Sequence, residues 1–146
     1  MLQYKVIHNV LPTRATLFRD GLLDNVSCNF CNNKEQTLNH LLINCALVVG
    51  FWTSFLVWWN TKTNENLIIN PSHILYGWHE RTRHWWILNY CLLIAKYHIF
   101  CTSLRGDDLD FQNYLPNIHE KLETLKEIAI AKKALSKFHR TWAILL

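Results

Sequence analysis

Three cysteines and one histidine lie close together in this chain, and their spacing constrains the fold more than any other feature. Cys28, Cys31, His40 and Cys45 form a C-x2-C-x8-H-x4-C pattern. Thiolate and imidazole groups are ligands that Zn²⁺ prefers, and three Cys with one His complete a tetrahedral structural set. Four protein ligands leave no open position for a reactive water. The pattern therefore predicts a structural rather than a catalytic zinc site.

Two other interpretations of these residues remain open. The chain has five Cys and eight His, so the cluster could consist of unrelated thiols beside a surface His. A disulfide is the second alternative, but three Cys cannot pair evenly and no secretory signal opens the chain. The polar turn after Cys31 favours the zinc site, as does Thr37, which can cap a helix carrying His40.

The spacing between the last two ligands imposes a geometric condition. His40 and Cys45 are five residues apart, which places them about 140° apart around an ideal α-helix. Both side chains can face one ion only if the helix ends or unwinds near Cys45.

Hydrophobic periodicity predicts a mainly α-helical protein with a small Cys3His zinc-knuckle subdomain. Pro12 and Gly21 are expected to end the first two helices, and Ser72 to cap a short turn over 72–77. Pro116 is expected to precede the last helix. The predicted helices cover residues 2–10, 13–20, 37–44, 48–59, 81–104 and 118–140.

The chain divides by composition into three segments. Residues 1–59 hold the first helices and the zinc-binding subdomain. Residues 60–66 are polar and without periodicity, which predicts a linker. Residues 67–146 are expected to form a helical C-terminal region. Its apolar stretch over 85–101 is interrupted by polar residues and is shorter than the roughly 20 residues of a membrane span, so we expect a buried helix and no membrane contact.

The residues around the zinc pattern follow one another in a recognisable order. A helix ends in Leu-Pro-Thr, a short basic helix ends in Gly, and Glu and His-Leu-Leu motifs accompany the metal ligands before a Phe-Trp pair. This order resembles the region after the thumb in reverse transcriptases of non-LTR (LINE-type) retrotransposons. The resemblance is specific over residues 4–52 and looser over 73–101. The residues that carry it are Lys5–Thr13, Leu17, Gly21, Leu22, Cys28, Cys31, Glu35, His40–Leu42, Cys45, Phe51 and Trp52, with Leu75–Gly77, Leu88, Asn89 and Ala95–Tyr97 downstream.

One position departs from the family pattern. The family often has Pro directly after the last Cys, where this chain has Ala46. The helix break after the site is therefore encoded less firmly here.

The resemblance implies a zinc-binding accessory domain of an RNA-directed DNA polymerase, not catalytic by itself, that binds template RNA or target DNA during reverse transcription. It also implies an upstream polymerase domain as a partner. The composition supports a second hypothesis, a zinc-stabilised protein-interaction module that packs on another domain or subunit. Seven Trp and a charged fraction of only 18% favour apolar faces that meet a larger assembly.

Basic residues supply the candidates for nucleic-acid contact. A net charge of +4 permits phosphate contacts without demanding them. One group lies near the zinc pattern, and a solvated surface explains it equally well. A second group precedes the Trp85-Trp86 pair, where cations beside aromatics suit stacking on unpaired bases, although a helix start with buried Trp is the simpler interpretation. The candidates are Lys5, Arg14, Arg19 and Lys34, then Arg81 and Arg83.

Catalytic signatures are missing from the sequence. There is no Tyr-x-Asp-Asp motif and no Gly-rich phosphate loop. The acidic cluster Asp107, Asp108 and Asp110 could hold Mg²⁺, but we interpret it as a helix-ending loop. We therefore expect no enzymatic activity from this chain by itself. Free thiols at Cys91 and Cys101 suit a reducing intracellular compartment, cytoplasm or nucleus.

Overall fold

The computed structural model describes every residue from Met1 to Leu146, and it is built almost entirely from helices. The predicted mainly α-helical class is confirmed, because the only β pairing is an isolated bridge between Ser27 and Glu35. The elements in chain order are α1 (Leu2–Ile7), α2 (Arg14–Arg19), a π-helix (His40–Asn44), α3 (Ala46–Thr63), α4 (Pro71–Tyr76), α5 (Trp85–Arg105), α6 (Phe111–Ala131), α7 (Leu135–Trp142) and a 3-10 helix (Ala143–Leu145).

Helix α5 lies at the centre of the fold. Leu88, Cys91, Leu92, Ala95 and Ile99 form one buried stripe, and Ile87 and Lys96 are buried on either side of that stripe. A helix that is apolar on several sides must be covered on several sides. Accordingly, α5 contacts α1, the π-helix and α6.

An aromatic cluster joins α3 to α6. The ring of Phe51 meets those of Trp52, Phe111 and Tyr114 edge-on, with centroids 5.5 Å apart in each pair. Such edge-to-face contacts suit the charge distribution of aromatic rings. The buried Tyr114 hydroxyl donates a hydrogen bond to the carbonyl of Cys91 at 2.9 Å, which ties α6 to α5 as well.

One cluster of 29 buried residues extends from Val6 to Leu145. It includes Cys28 and Cys45 of the zinc pattern together with residues of α3, α5 and α6. The division into segments 1–59, 60–66 and 67–146 remains a prediction. Helix α3 continues to Thr63, however, so residues 60–63 of the proposed linker are helical.

The prediction for the last helix was wrong in two respects. Helix α6 begins at Phe111, not at 118, and includes Pro116. The side chain of Asp110 caps it by accepting a hydrogen bond from the backbone N–H of Gln112 at 3.0 Å. Burial of Phe111 and Tyr114 in the first turn outweighs the cost of a proline inside the helix. The helix then stops near Lys133, whose backbone is left-handed (φ 54°), and α7 begins at Leu135.

Three other predicted boundaries also shift. Helix α1 ends at Ile7 instead of residue 10, and α5 begins at Trp85 instead of 81. Helix α4 is capped by Asn70 and not by Ser72. The Asn70 side chain accepts a hydrogen bond from the backbone N–H of His73, and the His73 side chain accepts one in return from Asn70. A reciprocal pair of this kind satisfies two N–H groups that the first turn leaves without partners.

Helix α5 is long and apolar enough to cross a membrane by length and composition alone. In this fold, 56% of its most apolar window is buried against other parts of the chain. That burial is typical of the core helix of a globular domain. The absence of membrane contact stays a prediction.

Candidate metal centre

The structure brings Cys28, Cys31, His40 and Cys45 together at one point. Their ligand atoms all lie within 4.8 Å of one another. The sulfur atoms of Cys28 and Cys45 are 4.0 Å apart, and the Cys31 sulfur lies 3.3 Å from Nε2 of His40. Cys28 and Cys45 are buried, whereas Cys31 and His40 are half-buried, so one side of the site faces the core and the other faces solvent.

The separations of 4.0 and 3.3 Å are close to those around a tetrahedral zinc ion. With Zn–S bonds of about 2.3 Å and a Zn–N bond of about 2.0 Å, the ligand atoms of a tetrahedron are about 3.5–3.8 Å apart. The donor set of three thiols and one imidazole is one that zinc prefers. Because four side chains complete the coordination, the residues suit an ion that stabilises the fold rather than one that activates water.

A π-helix resolves the conflict in spacing between His40 and Cys45. The backbone N–H of Cys45 donates to the carbonyl of His40 at 2.9 Å, a bond that spans five residues instead of four. This wider turn brings residues five apart onto one side. Thr37 opens the turn as predicted, since its hydroxyl accepts a hydrogen bond from the backbone N–H of His40 at 3.2 Å.

The helical path breaks directly after the last ligand. Cys45 has an extended backbone (φ −62°, ψ 131°), and α3 starts at Ala46. Ala46 is thus the first residue of a new helix, a position that accepts proline because its N–H needs no helical partner. This explains how both the family's Pro and the Ala of this chain can occupy it.

The indole of Trp52 fastens the π-helix to α3. Its Nε1–H donates to the carbonyl of Leu42 at 2.8 Å, and both residues are buried. Burial of Trp52 therefore satisfies a backbone acceptor inside the turn that carries the ligands.

The protonation chemistry of the ligands differs across the site. Burial raises the pKa of the Cys45 thiol to about 11, an effect that the backbone N–H groups of Leu47 and Val48 offset in part. Burial also acts to raise the pKa of the Cys31 thiol. Hydrogen bonds from the backbone of Asn33 and Lys34 outweigh this effect, so the pKa of that thiol is lowered. Metal binding at Cys45 must therefore displace a proton.

The His40 ring is held in the form that can bind metal. Burial, followed by the positive charge of Lys34, lowers the pKa of the imidazole. A neutral ring has a free lone pair for a metal ion. In this structure Nε2 is the nitrogen that faces the thiols.

Gln36 supports the site although it is not a ligand, and the sequence interpretation missed it. Its side-chain Nε2 lies 3.8 Å from the Cys28 sulfur and 2.9 Å from the Ser103 hydroxyl oxygen. Its Oε1 accepts a hydrogen bond from the backbone N–H of Arg14 at 3.0 Å. Groups that orient a metal ligand in this way tune metal affinity. No local signal marks Gln36, because its partners are distant in sequence.

The C-terminal end of α5 anchors the ligand loop. Besides the contact with Gln36, Ser103 accepts a hydrogen bond through its carbonyl from the side chain of Asn29 at 2.7 Å. Asn29 lies between the first two ligands. The ligand loop is thus tied to the central helix at a defined position.

Fold and site together define a helical protein with a structural Cys3His zinc centre. Residues 1–52 match the family described as zinc-binding in reverse transcriptase. The match includes all four ligands, and the predicted zinc cofactor is confirmed. No curated protein and no solved structure is significantly similar to the chain.

The candidate nucleic-acid residues near the zinc centre differ in accessibility. Arg19 and Lys34 are exposed, while Lys5 and Arg14 are half-buried. Arg14 Nε is buried without a hydrogen-bond partner. Arg19 lies 3.6 Å from Asp20 in an exposed ion pair, which contributes little to stability. Arg19 and Lys34 are therefore the cations most available to a ligand.

The structure separates Arg81 and Arg83 from this group. Both are exposed and precede α5, and the Arg81 guanidinium lies 5.9 Å from the centre of the Trp85 ring. Gln36 and Asn29 of the zinc-binding segment contact Ser103 near the opposite end of the same helix. At 1.5 Å per residue, Trp85 and Ser103 are about 27 Å apart along α5. The six candidates thus form two groups, not one.

Proposed function

We propose that this chain is the zinc-bearing accessory region of a LINE-type RNA-directed DNA polymerase and that it binds template RNA or target DNA during reverse transcription. The observation that supports this most is the coincidence of two findings. A segment related to the zinc-binding domain of reverse transcriptases also places all four ligands within bonding range of one ion. We further propose a CCHC zinc-knuckle arrangement and an upstream polymerase domain as the physical partner.

The zinc centre would act by holding basic residues on a rigid base. The backbone N–H groups of Arg14 and Ala15, at the start of α2, donate to the side chain and carbonyl of Gln36. Arg19 ends that helix, and Lys34 lies in the loop between the second and third ligands. Cations fixed in position can contact phosphates without reading base sequence. The expected binding is weak and largely independent of sequence.

We propose that the chain has no catalytic role by itself. Two of the three acidic residues after α5 have structural partners: Asp107 accepts a hydrogen bond from Arg105 at 2.9 Å, and Asp110 caps α6. The zinc ligands leave no coordination site for substrate. Primer extension on an RNA template with Mg²⁺ is the direct test, and turnover by this chain alone would contradict the proposal.

A salt titration tests the nucleic-acid part. We would measure fluorescence anisotropy of a labelled RNA and of a nicked DNA duplex, starting at low salt. The double variant Arg19→Ala/Lys34→Ala should lower the slope of log affinity against log salt by about 1.8 on duplex or about 1.4 on single strands, the value for two lost phosphate contacts. The matched control Lys62→Ala/Lys121→Ala removes two exposed lysines, one on α3 and one on α6, and should change the slope less.

A protein-interaction module is the second candidate, favoured by apolar side chains exposed at the N-terminal end. Among the first 22 residues, the exposed large hydrophobics are Met1, Tyr4, Ile7, Val10, Phe18 and Leu22. Such a set suits contact with another domain. If the titration shows no binding, or if the double variant behaves as the parent chain does, this function becomes the better proposal.

The five Cys form no disulfide. Zinc-bound thiolates and free buried thiols persist best where disulfides do not form. We therefore propose an intracellular location, in cytoplasm or nucleus, without membrane contact.

A further inference from the structure

A groove of about 520 Å³ lies between α6, α7 and the start of α5, at the end of the molecule away from the zinc centre. Trp86, Phe138 and Trp142 contribute aromatic surface, and Lys132 and Lys137 contribute the cations. The rings of Trp86 and Trp142 meet edge-on at 6.2 Å. Trp142 is buried, but Trp86 is 51% exposed, so one aromatic ring remains available to a ligand.

Charge is segregated along the helices that form this groove. Residues 106–146 hold equal numbers of acidic and basic residues, but all the acids precede residue 128. The chain from 128 to the end carries Lys132, Lys133, Lys137 and Arg140 and no Asp or Glu, and these four cations are exposed. The lining of the groove therefore contains two lysines and no acidic residue, although α6 carries three Glu outside that lining.

The second group of basic candidates lies at the same end of α5. Arg81 and Arg83 precede the helix whose second residue is Trp86. Both are exposed, and neither takes part in an ion pair. They extend the positive surface next to the exposed indole.

We infer that this groove binds single-stranded nucleic acid, with Trp86 stacking on a base and Lys132 and Lys137 contacting phosphates. An aromatic platform beside a cationic groove is the arrangement that binds unpaired strands without sequence preference. An apolar peptide could bury side chains against the aromatic surface, but it would leave the clustered cations without partners of opposite charge. Because the complementary charge is negative, a polyanion with flat apolar faces fits better.

The inference rests on the proposed nucleic-acid function for the kind of ligand, but it uses a different site. The groove and the zinc centre lie near opposite ends of α5, a helix about 30 Å long. The two sites can therefore be altered separately.

The test is fluorescence anisotropy of labelled 20-nucleotide poly-U and poly-dT with the full chain loaded with zinc. Lys132→Glu/Lys137→Glu should weaken binding by about tenfold or more. The matched control Lys62→Glu/Lys121→Glu makes the same change in net charge at exposed lysines outside the groove and should weaken it far less. Lys132→Ala/Lys137→Ala should lower the magnitude of the salt slope by about 1.4 on single strands.

The aromatic contact has its own variants. Trp86→Ala should weaken binding by roughly 5- to 150-fold, the range for one lost stacking contact. Trp86→Phe, which keeps a ring, should lose less. Tyr97→Ala removes an exposed aromatic from α5 outside the groove and should have little effect. Circular dichroism and the melting midpoint establish that each variant is folded.

The outcomes separate this inference from the proposed function. If folded groove variants bind single strands as the parent chain does while Arg19→Ala/Lys34→Ala weakens binding, the groove inference is wrong and the zinc-side proposal stands. If the groove variants lose binding and the zinc-side variant does not, the groove is the site and the zinc-side proposal is wrong. If the control pair weakens binding as much as the groove pair, only net charge matters and the inference is overturned.

Discussion

At the scale of single residues, the side chain of Gln36 connects three parts of the zinc centre. It is buried and contacts the Cys28 sulfur, the Ser103 hydroxyl and the backbone N–H of Arg14. One amide thus connects a metal-ligating Cys, the central helix α5 and the start of α2. Removal of that amide leaves buried polar groups without partners, which costs about 1–3 kcal/mol for each group.

We expect Gln36→Leu to weaken zinc binding by about 10- to 100-fold, the usual effect of losing a group that orients a ligand. The variant should also unfold at lower urea concentration. Competition with a chromophoric chelator measures the affinity. Gln112→Leu changes an exposed Gln on α6 and should leave zinc affinity unchanged. Equal affinity in the two variants would show that Gln36 does not support the site.

Lys96 is a buried cation with no acidic partner. It is 2% exposed, and its ammonium group donates a hydrogen bond to Oε1 of Gln3. Gln3 in turn donates to the carbonyl of Leu75 at 2.8 Å. Burial lowers the pKa of Lys96 to about 8, from about 10.4 in an unfolded chain.

The sign of the pH dependence follows from this lowered pKa. Between pH 8 and pH 10.4 the unfolded chain binds more protons than the folded chain, so Lys96 makes stability rise with pH in this window. Below pH 8 the folded chain keeps Lys96 charged, and the full free-energy cost of burying that charge is present. We expect Lys96→Met to stabilise the protein at pH 7 by up to about 3 kcal/mol. The variant should also lack the part of the increase in stability between pH 8 and pH 10.4 that Lys96 causes. Urea unfolding at several pH values measures both effects, with the exposed Lys62→Met as control. A Lys96→Met variant less stable than the parent chain at pH 7 would contradict the argument.

At the scale of the elements, the π-helix and α6 show packing overriding local preference. The π-helix exists because two ligands five residues apart must face one point, which a regular helix does not allow. Helix α6 accepts Pro116 because its first turn buries two aromatic rings against α3. In each case the cost in local geometry is offset by contacts elsewhere in the fold.

Pro116 is the sixth residue of α6, where the missing N–H leaves the carbonyl of Gln112 without its helical partner. A proline inside a helix costs about 3 kcal/mol relative to alanine, and proline restricts the unfolded chain by about 0.4–1 kcal/mol. We therefore expect Pro116→Ala to stabilise the protein by about 2 kcal/mol in urea unfolding. Pro71→Ala is the matched control, because Pro71 is the first residue of α4 and proline is favourable there. It should be neutral or destabilising. A destabilising Pro116→Ala would indicate that the proline ring itself is needed for packing.

At the scale of the whole molecule, the zinc centre is part of a continuous core. Two of its ligands belong to the cluster of 29 buried residues, and the π-helix contacts α3, α4 and α5. A structural zinc site contributes roughly 10–16 kcal/mol of apparent binding energy, much of it through folding. Loss of zinc should therefore weaken the nearest elements first and the distant hairpin of α6 and α7 last.

Hydrogen exchange after chelation tests this order. Amide exchange should rise first over residues 22–50, then in α3 and α5, and last in α6 and α7. Cys31→Ser should reproduce the pattern without chelator. Cys101→Ser, which changes a half-buried thiol outside the ligand set, should not. A uniform rise across the chain would show that the zinc centre and the helices unfold as one unit.

The ligand set, the zinc ion, the helical class and the capping role of Thr37 followed from the sequence alone. Each depends on residues within a few positions of one another, where donor chemistry and hydrophobic periodicity act directly. The sequence also required the helix to end or unwind near Cys45. It did not indicate that a π-helix followed by an extended residue would meet this requirement.

Only the tertiary structure decided the remainder. Gln36 and Ser103 are 67 residues apart, and no local pattern indicates that they meet. Helix α6 begins before its proline because Phe111 and Tyr114 find partners on α3, and the groove exists because Trp142 packs against Trp86 at the start of α5. These features depend on burial against distant residues, and burial is a property of the folded chain rather than of any short stretch of sequence.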